Sequence, residues 1–147
     1  MSTFVSQQNA RPGVYDKVIA DIAKKNLCPF CPEHLAEFHK NPIEEREFWI
    51  VTDNQYPYRP SKHNKLFIYR THIQHFSEIS AEAWKELGEI VQEQTEKLHI
   101  IGGSFFMRFG DARFTGASVS HLHCQLLQSN PDDPAYDSKT GIFTRLG

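Results

Sequence analysis

One short stretch of the chain carries two imidazoles and an amide at a spacing that could do chemistry. In residues 120–127, Ser-His-Leu-His-Cys-Gln-Leu-Leu, the polar side chains of His121, His123 and Gln125 alternate with apolar ones. A period of two is typical of a β-strand, which would present all three polar groups on one face, with alternate Cα atoms about 7 Å apart. Such a row is costly to bury unless each member has a partner. The stretch therefore indicates a site, and the simpler alternative is a solvated strand face with incidental histidines.

A second group of residues has the chemistry of metal ligands. Two of the three cysteines lie in Cys28-Pro-Phe-Cys31, and in a chain without an export signal this pattern indicates metal binding or redox chemistry rather than a disulfide scaffold. Together with His72 and His121 they form a Cys2His2 set, which matches the tetrahedral ligand chemistry of zinc. With four protein ligands the zinc would be structural. His34 is a rival third ligand, and two free cysteines without a metal is the plainer alternative.

Composition limits the class of protein. The 147 residues, of which 39% are hydrophobic and 12% aromatic, suit one domain spanning residues 1–147, with residues 1–11 and 130–147 as peripheral tails. A formal net charge of -2 gives no reason to expect nucleic-acid or membrane binding by bulk charge. The amino terminus is polar, and no apolar run approaches the roughly 20 residues that span a bilayer. We expect a cytoplasmic protein.

Two main helices are predicted. The first covers about residues 12–25, where apolar residues recur at a helical spacing. The second covers about residues 80–99, with Ser80 as its N-cap and an apolar stripe that indicates a core face. Between the two, residues 36–45 are charged and are expected to form a surface loop or a short helix.

Four strands are predicted, at residues 47–52, 65–70, 104–109 and 118–128, because these stretches are rich in β-branched and aromatic residues or alternate in polarity. The loops within the first two and within the last two are too short for a covered crossover. Each pair should therefore be an antiparallel hairpin, which gives an α+β domain.

Four blocks of the sequence, in order, resemble the histidine triad (HIT) superfamily. They are a pair of cysteines, a strand-loop-strand unit that ends in a basic residue and a histidine, a glycine-containing phosphate loop and the histidine strand. Their residues are Cys28-Pro-Phe-Cys31, 48–53 with 66–72, Arg108-Phe-Gly-Asp with 115–119, and 121–127. The resemblance implies a HIT-like fold with an antiparallel sheet of about five strands and two main helices. It also supports the zinc set, and it implies a homodimer.

By this resemblance His123 is the nucleophile. A free imidazole nitrogen would attack the α-phosphate of a nucleotide and form a nucleotidyl-histidine, while a backbone carbonyl holds the other ring nitrogen. Ser118 and the backbone near Gly116 would bind phosphate oxygens, because fixed donors around the reacting phosphorus are usually the largest catalytic contribution. Arg108 could add a charged donor, or it could simply project from a surface strand.

Gln125 departs from the triad, because it stands at the third histidine position. The nucleotidyltransferase branch of the family, including galactose-1-phosphate uridylyltransferase and dinucleoside tetraphosphate phosphorylases, is similar in carrying Gln there. An amide can bind a phosphate oxygen but cannot protonate a leaving group, so a phosphate or a phosphorylated sugar should leave more readily than an amine. Substrates of the nucleotide sugar or dinucleoside polyphosphate class are therefore expected. Hydrolysis, nucleotidyl transfer and a weakly catalytic nucleotide-binding protein all remain open.

The nucleoside is expected in an apolar cleft. Phe30 and Phe48 would line it, and Asp53 or Asn54 could bind the ribose hydroxyls. For each aromatic residue, ordinary core packing is an equal alternative.

Overall fold

One antiparallel sheet organises the chain, and helices cover part of both its faces. The computed structural model describes residues 4–146. The helices are α1 (Val14–Lys25), α2 (Pro32–Phe38), α3 (Ala81–Lys97) and α4 (Ala112–Thr115); the strands are β1 (Ile43–Glu45), β2 (Trp49–Asp53), β3 (Ser61–Tyr69), β4 (Ser104–Arg108) and β5 (His123–Ser129). The strand order is β1-β2-β3-β5-β4, and each neighbouring pair is antiparallel. The predicted α+β class, five-stranded sheet and two main helices, α1 and α3, are confirmed.

Strand β5 lies inside the sheet, between β3 and β4. In this register His123 is paired with Ile68 on β3 and with Arg108 on β4. Gln125 is paired with Leu66 and Phe106 in the same way. Because partners across a ladder point to the same face of the sheet, Arg108, His123 and Gln125 share one face.

Helix α3 covers the opposite face. Its residues Leu87 and Ile90 are buried against a core that contains Trp49, Phe67 and Cys124, each with no exposed surface. Ser80 is the N-cap, as predicted, and its hydroxyl accepts a hydrogen bond from the backbone N–H of Ala83. The apolar residues of the histidine strand, including Cys124, thus pack in the hydrophobic core under α3.

The face of His123 is covered by α1, α2 and the amino-terminal segment. Ile19 and Ile22 of α1 pack with Val5 and Val119. Val5 is buried and forms an isolated β-bridge with Val119, although residues 1–11 were expected to form a peripheral tail. Residues 4–9 of this segment are thus held against the loop that precedes β5.

The histidine strand begins later than the polarity pattern predicted. β5 starts at His123 rather than at residue 118, because the backbone of residues 118–120 bonds to the amino-terminal segment instead of to a sheet neighbour. His121 therefore lies outside the strand and does not share the orientation of His123. The charged region 36–45 contains the end of α2 and the whole of β1, a strand that its polar sequence did not indicate. Among residues 4–146, no helix combines the length and apolar character that crossing a bilayer requires.

Candidate active site and metal cluster

The imidazole of His123 is held in a defined orientation. Its Nδ1 lies 2.8 Å from the carbonyl oxygen of His121, and since a carbonyl only accepts, Nδ1 carries the proton and Nε2 has the free lone pair. Burial lowers the pKa of His123 to about 4, the positive charge of Arg108 acts in the same direction, and the bond to the carbonyl opposes both. The free imidazole is therefore neutral at pH 7, which is the state that a nucleophile requires.

Gln125 presents its amide N–H groups to the cleft. The backbone N–H of Tyr58 donates to Oδ1 of Asn64 at 3.0 Å, so the amide nitrogen of Asn64 faces the other way and donates to Oε1 of Gln125, also at 3.0 Å. In the same way, the backbone N–H of Tyr56 donates to Oδ1 of Asn54, and the side-chain nitrogen of Asn54 donates to Oε1 of Gln125 at 3.3 Å. A chain of directional bonds thus leaves Gln125 with donors for a ligand.

The loop before β5 is tied to the amino-terminal segment. Both hydrogens of the Asn9 side-chain amide are used, on the carbonyls of Ala112 and Ala117, each at 2.8 Å. Gly116, between them, has a φ of +68°, a conformation that glycine adopts without strain. The hydroxyl of Ser118 lies 2.6 Å from that of Tyr15, and burial raises the pKa of Tyr15, so this phenol stays neutral.

One open cleft joins these groups. It brings together seven of the residues that the sequence suggested for the site, namely Phe30, Asn54, Arg108, Gly116, Ser118, His123 and Gln125. Asn9, Arg11, Tyr15 and Tyr58 also line it. Asn9, Arg11 and Tyr58 were missed because they lie in polar or loop segments without periodicity, and Tyr15 was missed because its place on the apolar face of α1 indicated core packing.

A second cleft adjoins the first and is mainly apolar. Ile19, Ile22, Phe38 and Tyr56 line it, and Phe30 belongs to both clefts. The ring of Phe30 stands edge-on to that of His123, with ring centres 5.0 Å apart.

Asp53 and Phe48, which the sequence suggested as contacts of the nucleoside, do not line either cleft. Asp53 is exposed and forms an ion pair with Lys65, its partner across the β2–β3 ladder, with the charged atoms 3.0 Å apart. Phe48 packs against the core under α3, on the other side of the sheet. The reason is Glu86 of α3, whose carboxylate accepts hydrogen bonds from the backbone N–H groups of residues 47–49 and draws that segment to the helix.

The structure brings Cys28, Cys31, His72 and His121 into one cluster, with all four ligand atoms within 4.8 Å of one another. The two Nδ1 atoms of the histidines are 3.2 Å apart, and three of the four sulfur-to-nitrogen distances lie between 3.3 and 3.6 Å. The edges of a zinc tetrahedron with sulfur and nitrogen ligands are about 3.3–3.8 Å. The cluster therefore fits a zinc ion. His34, the rival ligand, instead contacts the carbonyl of Cys28 at 3.2 Å.

The second nitrogen of His121 completes this arrangement. Its Nε2 donates to the carbonyl oxygen of Tyr69, at the end of β3, so Nδ1 presents a lone pair to the cluster. Burial lowers the pKa of His121 to about 4 and raises the pKa of Cys31 to about 12, with that of Cys28 raised as well. Without a cation these groups are neutral, and a bound metal would displace the thiol protons.

Comparison with solved structures identifies relatives of the fold. A protein described as a Hit-like protein is 26% identical over 62% of this chain and 88% of its own, with a TM-score of 0.52. A histidine triad nucleotide-binding protein from Sulfolobus tokodaii strain 7 is 20% identical over 76% of both chains, with a TM-score of 0.58. A zinc-bound histidine triad family protein from Mycobacterium smegmatis is 18% identical over 69% of this chain and 75% of its own, with a TM-score of 0.51. No family model and no curated protein matches the chain.

Proposed function

Because the chain belongs to the histidine triad superfamily, as its fold and relatives show, we propose that it cleaves or transfers nucleotides through a covalent intermediate on His123. The observation that carries the proposal is the bond from Nδ1 of His123 to the carbonyl of His121. It directs the free lone pair of Nε2 into a cleft that also contains the hydrogen-bond donors of Arg108, Ser118 and Gln125. Such a cleft suits an electrophile that carries negative oxygens.

In the first step, Nε2 of His123 attacks the α-phosphorus. A phosphorus–nitrogen bond forms, the bridging phosphorus–oxygen bond breaks, and the leaving group departs with the electron pair as an oxyanion. The hydroxyl of Ser118 and the backbone near Gly116 are the donors for the non-bridging oxygens. Arg108 adds positive charge next to His123 on the neighbouring strand.

In the second step, an oxygen nucleophile attacks the phosphorus and the electron pair returns to Nε2. Water gives a nucleoside monophosphate and releases its proton to the solvent, and a phosphorylated acceptor gives a new anhydride. Gln125 can hold the leaving or entering oxygen through its amide hydrogens but has no proton to transfer. Nucleotide sugars and dinucleoside polyphosphates are therefore the proposed substrates, since their leaving groups are weakly basic phosphates.

The apolar second cleft is the proposed site for the nucleoside. Phe30 lies between this cleft and His123, so a base packed on one side of Phe30 would place its α-phosphate near Nε2. Asn54 lies at both clefts, and it is the better candidate of the two predicted ribose ligands.

We also propose zinc as the occupant of the cysteine and histidine cluster. Cys28 and Cys31 would bind through sulfur, and His72 and His121 through Nδ1. With four protein ligands the ion would have no open position, so its role would be structural. It would tie the turn before α2 to the segments that follow β3 and precede β5.

A homodimer is the proposed assembly, and exposed apolar residues on one side of the molecule support it. Strand β4 is an edge of the sheet, and Phe105 on it is exposed. Trp84 on α3 is also exposed. Equilibrium sedimentation at micromolar concentration tests this assembly, and a monomer would contradict it.

The proposed chemistry can be tested by intact-mass spectrometry. Wild type and His123→Ala are incubated briefly with nucleotide sugars and dinucleoside polyphosphates. We expect an acid-labile adduct with the mass of one nucleotidyl group on wild type, and none on the variant. Single-turnover reactions with water alone, or with added inorganic phosphate, then distinguish hydrolysis from transfer. If nucleotides bind but yield neither adduct nor product, the weakly catalytic nucleotide-binding alternative replaces this proposal.

A further inference from the structure

Two guanidinium groups, from Arg11 and Arg108, line the cleft beside His123. No aspartate or glutamate is among the described residues that line it, and neither arginine has an ion pair with a carboxylate in the described part of the chain. The nucleophile thus shares its cleft with two positive charges that no carboxylate of the described residues neutralises. Gln125, the donor beside them, adds no charge.

Arg11 is fixed by neutral partners. Its two terminal nitrogens donate to the carbonyl oxygens of Tyr56 and Pro57, the latter at 3.2 Å. The guanidinium carbon lies 4.4 Å from the ring centre of Tyr58 and 5.1 Å from that of Tyr15. Carbonyls and aromatic faces hold the cation in place without neutralising it. An arginine has five donors, so others remain for an anion.

Arg108 approaches the hydroxyl of the same tyrosine. Its terminal nitrogens lie 3.4 Å from Oη of Tyr58, and one of them also donates to Oγ1 of Thr144 at 2.6 Å and to the carbonyl of Arg145 at 2.7 Å. Its Nε is buried without a hydrogen-bond partner among the described residues. Burial would raise the pKa of Tyr58, but the bond from Thr144 and the charges of Arg108 and Arg11 together lower it. Both guanidinium groups therefore lie next to the side chain of Tyr58.

We propose that Arg11 and Arg108, arranged around Tyr58, form a second anion subsite, which binds a phosphate of the substrate beyond the one that His123 attacks. This inference rests on the proposed function and specifies its leaving-group side. A guanidinium group can bind phosphate through two parallel hydrogen bonds. Two guanidinium groups together would stabilise the negative charge that a phosphate leaving group gains. Arg11 thereby selects substrates with at least two phosphates over nucleotides that carry an uncharged group on the α-phosphate.

The subsite can be tested without any chemical step, with inorganic pyrophosphate as the probe. Calorimetry measures its binding to His123→Ala and to the same variant carrying Arg11→Gln. We expect the second substitution to weaken pyrophosphate binding about tenfold or more, since charged hydrogen bonds are lost. Lys85→Gln removes an exposed positive charge from α3, on the other side of the sheet, and should leave the affinity unchanged. Equal affinities with Arg11 and with Gln at that position would overturn the inference.

A second measurement covers the possibility that Arg11→Gln does not fold. Pyrophosphate should raise the melting temperature of wild type more than sulfate does at equal ionic strength, and the absence of any difference would overturn the subsite.

Turnover separates this inference from the proposed function. With active protein, Arg11→Gln should lower kcat/KM for a dinucleoside polyphosphate and spare a 4-nitrophenyl nucleotide, which has one phosphate. If the adduct forms on His123 but pyrophosphate binding does not depend on Arg11, the subsite is contradicted and the chemistry is not. Pyrophosphate binding that depends on Arg11, with no adduct on His123, contradicts the chemistry alone.

Discussion

The carbonyl oxygen of His121 accepts a hydrogen bond from Nδ1 of His123, two residues along the chain, at 2.8 Å. The side chain of His121 belongs to the cysteine and histidine cluster, while its backbone orients the proposed nucleophile. One residue therefore connects the cluster to the cleft, and anything that shifts His121 should also rotate the imidazole of His123.

Substituting one cluster cysteine tests this connection. We expect Cys28→Ser to lose most of the zinc, which should be about one ion per wild-type chain. The free energy of unfolding should fall by about 3 kcal/mol, the stabilisation expected where free zinc is about 100 times its dissociation constant, because binding and folding are coupled. Activity should fall as well, because the His121 backbone is released. Atomic absorption and thermal unfolding measure the two effects.

The matched control is Cys124→Ser. This thiol lies in the core under α3, with its sulfur 3.8 Å from the carbonyl of Phe67, and takes no part in the cluster. The Cys124→Ser variant should keep its zinc. Wild type without zinc, or Cys28→Ser with a full complement, would contradict a zinc site at these residues and would return the Cys28–Cys31 pair to the redox alternative.

Much of the fold and part of the candidate site were readable from sequence because they depend on local pattern. Alternation placed His123 and Gln125 on one face of a strand, and Ser80 marked the start of α3. Pairing between distant segments was not readable. The hydrogen bonds from the Asn9 side chain to Ala112 and Ala117 join residues more than 100 positions apart, and no periodicity in the sequence predicts them.

The misplaced residues have the same explanation. Phe48 immediately precedes a strand and looks equivalent to the aromatic residues near the site. Its position is decided by Glu86, a residue on a helix far along the chain that binds three consecutive backbone N–H groups. Asp53 is likewise drawn away by Lys65 on the next strand. Long-range polar contacts, rather than local propensity, determine which of these side chains reach the cleft.

Asn64→Asp should reverse the polarity of Gln125. The carboxylate can still accept from the backbone N–H of Tyr58, but it can no longer donate to Oε1 of Gln125, which keeps only the longer contact with Asn54 at 3.3 Å. The Gln125 amide should therefore turn its N–H groups to the new carboxylate and present its oxygen to the cleft. An oxygen repels phosphate, and we expect kcat/KM to fall about 10- to 100-fold. Steady-state kinetics measures this effect.

The negative charge of the new carboxylate needs its own controls. Gln92→Glu adds the same charge at an exposed position of α3, on the other side of the sheet, and should leave the kinetics unchanged. In a Gln125→Ala background, Asn64→Asp should have a much smaller effect than in wild type. An undiminished effect there would show that charge, and not the orientation of Gln125, is responsible.

Asn9→Ala should weaken the loop that carries Gly116 and Ser118. Two carbonyl oxygens lose their side-chain donor, and we expect the free energy of unfolding to fall by about 1–3 kcal/mol. Urea denaturation measures this loss. Hydrogen exchange of the backbone amides in residues 112–120 should accelerate, whereas that of β3 should not. Uniform acceleration over the whole chain would indicate general destabilisation and contradict a local clamp.

Gln125→His tests why an amide stands beside the nucleophile. Imidazole can accept from Asn64 as the amide does, but it can also carry a proton to a leaving group. A positioned general acid contributes about 10²–10⁴-fold to a reaction that needs one. We therefore expect the ratio of kcat/KM for a nucleoside phosphoramidate to that for a dinucleoside polyphosphate to rise about tenfold or more. Both substrates are measured at one pH with the same protein, so a loss of folded enzyme cancels in the ratio. An unchanged ratio would mean that residue 125 does not contact the leaving group, and the restriction to phosphate leaving groups would then have to come from Arg11 and Arg108.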